Sequence, residues 1–298
     1  LRFAGELAAL GTALCWSMGS NLLAAAGRRV GAMDMNRIRI SAATILLAST
    51  LLVVRGSPWP HWASARDVAL LALSGLIGFV FGDTFQFRSI VIMGPGRAGL
   101  MASTAPIFTA LMAWPALGER LRPLALLGMA LTVGGILWVM YERGHDSPER
   151  RHGSMIAGVA FGLLGALGQA GGYVISKLAL RSGLDPLSAT VVRIAAAAIG
   201  IWVIAAFQGD GARSLEALRD RRSGLFLLGA AVCGPFLGVT LSLLALEFVE
   251  AGVAASIIAF SPVFTILIAA RFHREPLTAR KIAGALIAVA GVVVLFMR

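Results

Sequence analysis

The chain has 298 residues, 58% of them hydrophobic and only 14% charged, with a mean hydropathy of +0.83 and a net charge of +11. A soluble domain carries about 25% charged residues, so this chain has too few to cover a water-soluble fold of its size, and lipid must do the covering. The basic excess is almost all arginine, in short clusters such as Arg28-Arg29 and Arg221-Arg222 without interleaved aromatics, which excludes a nucleic-acid groove and suits loops at a lipid surface.

A spanning helix needs about 20 mostly apolar residues. Taken in chain order, the apolar runs predict helices over 4–26, 36–54, 67–91, 97–117 and 123–141, with Arg, Pro and Gly marking the breaks. The first run lacks the basic start of a signal peptide. Gly94-Pro95-Gly96-Arg97 has no following Lys-Ser/Thr and reads as a turn rather than a phosphate loop. A polar stretch, Glu142 to His152, then separates the halves. A further five helices follow over 153–177, 186–207, 223–247, 252–270 and 280–297.

Residues 78–135 return as 234–291 without a gap, at a constant offset of 156. Gly78, Gly82, Pro106, Thr109, Glu119, Gly128 and Gly135 match Gly234, Gly238, Pro262, Thr265, Glu275, Gly284 and Gly291. Upstream the match continues with gaps, Gly31 with Gly183 and Arg39 with Arg193. The chain is a duplication, divided as residues 1–144, a linker 145–152 and residues 153–298. Five helices per copy is an odd number, so a spanning second copy enters the membrane from the opposite side. The expected fold is an all-α polytopic membrane protein of ten transmembrane helices in two inverted five-helix repeats. Two such halves can close around a central site and rock between its openings, which is alternating access.

These residues resemble the ten-helix, two-domain EamA-type members of the drug/metabolite transporter superfamily. The likeness rests on Trp16 in the first helix, Arg39 and Arg193 early in the second helix of each half, and an Ala-x7-Pro stretch entering each fourth helix. Turns at Glu119 to Leu121 and Glu275 to Leu277 follow, then a glycine-rich fifth helix. The resemblance covers nearly the whole chain and implies a bacterial inner-membrane exporter of amino acids or related metabolites, with the aromatic amino-acid exporters as its nearest type. Multidrug or other metabolite export within the superfamily is the alternative. The resemblance also implies cytoplasmic termini, whereas the excess of Lys and Arg in loops after odd-numbered helices points the other way. The second half has Leu167 or a neighbour where the first has Trp16, so the halves are not equivalent there.

Polar residues inside apolar helices are the candidate site residues. Asp83 has Val239 as its repeat partner and is either a proton or substrate-amine site or the ion-pair partner of Arg39 or Arg88. Trp16 and Asn21, Phe79 and Gln86, and Gln169 and Tyr173 come from helices one, three and six and form the expected substrate pocket, beside an interhelical-bonding alternative. Pro106 and Pro262 are expected to kink or hinge the fourth helix of each half. Glu119 and Glu275 read as turn residues at helix starts, and Lys177 as a side chain snorkelling to the interface.

Cys15 and Cys233 have no metal-ligand spacing, so no metal or cofactor is expected. His61, His145, His152 and His273 fall in loops or at helix ends, with no HExxH or GxSxG, which speaks against a membrane-embedded enzyme. The expected partners are a small-molecule substrate, the lipid bilayer and, if transport is ion-coupled, protons; a monomer suffices.

Overall fold

The computed structural model describes residues 3–26, 32–145, 154–209, 211, 214, 220–273 and 278–297. The Arg28-Arg29 cluster, Gly31, Glu275 and linker residues 146–152 lie outside these. Among the described residues every regular element is helical. Six stretches, 33–55, 65–93, 97–117, 155–180, 186–208 and 221–248, are long and apolar enough to cross a bilayer, and 123–139, 251–265 and 282–296 are shorter apolar helices. With Ala4–Ala26 they make ten segments, and the chain is a multi-pass membrane protein.

In the first half, α1 (Ala4–Ala26) and α2 (Ala32–Arg55) are the first two segments. The third runs through α3 (Ala65–Gly75), a seven-residue π-helix (Leu76–Gly82) and the beginning of α4 (Asp83–Ala102). Helical backbone continues through Gly94-Pro95-Gly96, yet Gln86 Nε2 donates to the Ala98 carbonyl at 3.3 Å. Residues twelve apart in a straight helix lie about 18 Å apart. The chain therefore folds back at this corner, and the fourth segment runs from there through α5 (Ala105–Leu117). The fifth is α6 (Pro123–His145).

The second half repeats this order: α7 (Met155–Leu180), α8 (Pro186–Gln208), α9 (Arg221–Ala231), a π-helix (Val232–Gly238) and α10 (Val239–Phe248). The last elements are α11 (Ala251–Ile258), α12 (Ser261–His273) and α13 (Ala279–Phe296). Local chemistry sets the ends. Ser64, Asp185 and Asp220 cap α3, α8 and α9 by accepting from Asp67, Ser188 and Arg222 N–H groups. Gly118 and Gly209 end α5 and α8 in the left-handed region, at φ of 70° and 73°.

The duplication extends to the irregularities. The two π-helices are offset by 156, and so are the breaks after Ala102 and Ile258 that split the fourth and ninth segments. Pro106 and Pro262 occupy the second position of α5 and α12, where a backbone N–H would have no acceptor within its own helix. The missing donor therefore costs nothing at those positions.

The halves interlock. α1 packs on α9 to α12, and α7 packs mainly on α3 to α5, so the first helix of each half lies within the other half. α6 and α13, the repeat-equivalent fifth helices, pack on each other through glycines. A Cβ on Gly135 would stand 2.6 Å from the Gly284 carbonyl, and one on Gly291 would stand 2.7 Å from that of Gly128. Gly128 faces Gly291 while Gly135 faces Gly284, so these two equivalent helices run antiparallel.

Candidate functional site

A cavity of about 370 Å³ lies between the halves, within the size range of small-molecule sites. Its wall is largely apolar, with Ser20, Arg39, Asp83, Gln86, Gln169 and Tyr173 among its polar members. Both broken segments reach it, through Ser103, Ala105 and Pro106 from one half and Ala259, Ser261 and Pro262 from the other. Both π-helices reach it too, at Phe79 and Gly82 and at Gly234 and Pro235.

Of the residues expected from sequence, Trp16, Phe79, Asp83, Gln86, Gln169 and Tyr173 line this one cavity, as do Pro106 and Pro262. Asn21 does not. The face of α1 turned inward is Trp16, Gly19, Ser20 and Leu23, at the 3–4 residue spacing of one helical stripe. Asn21 lies about 100° round from Ser20, and its Nδ2 donates to the Ser17 carbonyl at 2.9 Å. Ser17 is buried and accepts from Thr265 Oγ1 at 3.1 Å, so this second polar stripe joins α1 to α12. Ser17 and Asn21 thus do not share a face with Trp16 toward the cavity.

Gln86 reaches the cavity, but its amide N–H₂ is already engaged by the Ala98 carbonyl at the corner. The Trp16 indole rests on the second π-helix. A Cβ on Gly238 would stand 2.5 Å from its Cδ1 and 2.6 Å from its Nε1, so only glycine admits the ring there. Gly238→Ala is therefore expected to displace the indole from the cavity wall. Quenching of indole fluorescence by an aqueous quencher in reconstituted protein checks this against a Trp16→Phe control; an unchanged quenching profile overturns it.

The two repeated arginines occupy reciprocal places. Arg39 lies against Gly234, with Nη1 3.7 Å from where a Cβ on that glycine would be. Arg193 lies against Gly78, the copy of Gly234, at 3.0 Å by the same measure. Their surroundings differ because Asp83 has no copy. Arg39 Nη2 donates to Asp83 Oδ2 at 3.2 Å and to Asn36 Oδ1 at 2.6 Å. Arg193, 1% exposed, stands over the rings of Phe79 and Tyr173 at 4.9 and 5.8 Å from their centroids. Among the described residues no carboxylate lies within 4 Å of Arg193. The cavity region thus carries two guanidinium groups and one carboxylate. Arg88, the other candidate partner of Asp83, lies over Phe85 and Phe161 instead.

Sequence reasoning missed two polar clusters. Asp34, Arg37 and Ser214 form a buried network, with Arg37 Nη1 3.2 Å from Asp34 Oδ1 and Ser214 Oγ donating to the same oxygen at 2.6 Å. The Asp34-x-x-Arg37 spacing was its one visible signal. Near the chain's N-terminal end, Lys177 Nζ pairs with Glu119 Oε1 at 2.6 Å rather than snorkelling. Glu119 does serve a helix start, but in the other half: its Oε2 accepts from Ala251 N at 2.8 Å, the first residue of α11. Among the described residues no cluster of His, Cys, Asp and Glu could hold a metal.

The family whose pattern matches this chain is the EamA-like transporter family, over residues 3–141 and again over 156–297. An uncharacterised protein of Pseudomonas aeruginosa is 29% identical over 272 residues, covering 88% of this chain and 84% of its own. A probable terminal-alkyne amino-acid exporter of Streptantibioticus cattleyicolor is 32% identical over 119 residues, 40% of this chain and 38% of its own. One crystal structure superposes with a TM-score of 0.78 at 15% identity, covering 99% of this chain and 96% of that one, which is a likeness of fold. With both halves matched in turn, and the interlocked helices of each half enclosing one cavity, the chain belongs to the EamA-like transporter family.

Proposed function

We propose that this protein is a secondary transporter of a bacterial inner membrane that exports small amphipathic metabolites, first among them amino acids with aromatic or large apolar side chains. The observation that carries this reading is the cavity between the halves, where Trp16, Phe79 and Tyr173 offer ring surface beside the Arg39–Asp83 pair. The rings take the apolar body of the substrate, for which burial is the dominant gain. Arg39 receives its carboxylate and Asp83 its ammonium group, each by exchanging part of the existing ion pair. The amino-acid exporter among the relatives supports the substrate class. The antiparallel α6 and α13 support an inverted repeat, and with it alternating access, because equivalent helices running in opposite directions let one motion open either face.

The test is transport in proteoliposomes over a panel of amino acids and amphipathic drugs, with and without a pH gradient. Trp16→Ala and Tyr173→Ala are expected to slow aromatic substrates more than small ones, by about tenfold, a typical cost of one lost ring contact. If Asp83 carries a coupling proton, Asp83→Asn abolishes gradient-driven uptake in a folded protein. Equal transport of every substrate by parent and ring variants overturns the site, and drug transport without amino-acid transport turns the reading to multidrug export.

A further inference from the structure

A second cavity, of about 530 Å³, lies at the chain's N-terminal end of the bundle and includes Glu6, Arg122, Lys177, Glu247 and Glu250 in its wall. Tyr173 lines the central cavity and Lys177 lines this one, four residues on along α7. Only one helical turn, about 6 Å of rise, separates the two positions. Lys177 bridges that turn. It pairs with Glu119 at the end of the fourth segment and donates to the Val249 carbonyl in the turn between α10 and α11. The second oxygen of Glu119 holds the first N–H of α11 at 2.8 Å. Arg181, one turn further along α7, donates to the Leu117 carbonyl at the end of α5. Three segments from both halves thus meet at a single ion pair whose side chains are only 14% and 11% exposed.

The duplication shows that this arrangement is one-sided. Val249, Glu250 and Ala251 correspond to Met93, Gly94 and Pro95, and Pro95 has no N–H to offer a carboxylate. The match of Gly31 with Gly183 places alanines 24–26 opposite Lys177. Of the three groups, only the carboxylate returns, as Glu275.

We propose that Lys177, Glu119 and the Val249–Ala251 turn are the gate between the central cavity and the vestibule on the face that holds the chain's termini, and that the repeat carries no copy of this lock to the opposite face. This rests on the alternating-access reading. Opening toward the vestibule requires Lys177 to leave Glu119 and Val249. The repeat-equivalent positions on the other face carry alanine in place of Lys177 and proline in place of Ala251, so this pair weights the substrate-free protein toward a shut vestibule side.

The experiment is pulsed electron-spin distance measurement on the full chain in proteoliposomes without substrate. Cys15 and Cys233 are replaced by serine, and spin labels are attached at Arg120→Cys and Glu247→Cys, two exposed positions flanking the gate. The parent is expected to give one short distance. Lys177→Met and Glu119→Gln are each expected to raise the ratio of longer-distance to short-distance populations by about a hundredfold, the scale for removing one partner of a largely buried pair. Lys177→Arg retains the pairing and the parent distribution. Glu119→Gln keeps a carbonyl for Ala251 N, so at least one variant preserves the start of α11. Unchanged distributions in both Lys177→Met and Glu119→Gln overturn the gate. Distances are read without substrate, so that result leaves amino-acid export by the parent standing, and loss of the export reading does not alter the distance result.

Discussion

Arg39→Met is expected to destabilise the protein by about 3 kcal/mol, the cost of leaving a mostly buried carboxylate without its cation. Asp83 and Arg39 meet at 3.2 Å with side chains 23% and 17% exposed, so neither charge can turn fully to water. The double variant Arg39→Met with Asp83→Asn removes both charges and is expected to recover most of the loss. Thermal unfolding in one detergent, read as a double-mutant cycle, checks this. A double variant no more stable than Arg39→Met would mean that the arginine acts through its packing against Gly234 instead.

Gly135→Leu is expected to prevent assembly of the bundle. A Cβ at this position would stand 2.4 Å from Ala288 N and 2.6 Å from the Gly284 carbonyl, both backbone atoms that no rotamer change can move. The two helices would have to separate, and overpacking of this kind costs about 1–3 kcal/mol or more even where side chains can yield. Gly134 is the built-in control, since nothing lies within 4 Å of a Cβ there. Size-exclusion chromatography should show a monodisperse Gly134→Leu protein and an aggregated Gly135→Leu protein. A monodisperse Gly135→Leu protein would refute the close crossing of α6 and α13.

The extent of what could be read from sequence follows from the range of each signal. Ten helices were legible because hydropathy over about 20 residues is a local property, and the equivalence of Gly128 with Gly284 because the offset is constant. Trp16, Phe79, Gln169 and Tyr173 were placed near one centre by assuming that equivalent helices meet there. Asn21 was grouped with Trp16 because both lie on the first helix, and membership of a helix does not say which of its stripes faces inward. Lys177 was misread because its partners Glu119 and Val249 lie 58 and 72 residues away, and only the folded chain brings them together. The Arg37–Ser214 bond spans 177 residues and was hidden for the same reason.

The exchange of first helices between the halves bears on how such a chain can come into being and be made. α1 finds its neighbours in α9 to α12, and α7 finds most of its own in α3 to α5, so a lone five-helix half has an empty slot where the other's leading helix belongs. A half-length chain would need a second copy of itself to fill that slot, and carrying both copies in one chain makes a concentration-dependent encounter intramolecular. During synthesis α1 must then wait in lipid until residues beyond 220 have been inserted. By contrast α7 meets α3 to α5 as soon as it is inserted, so the two leading helices find their places at opposite ends of synthesis.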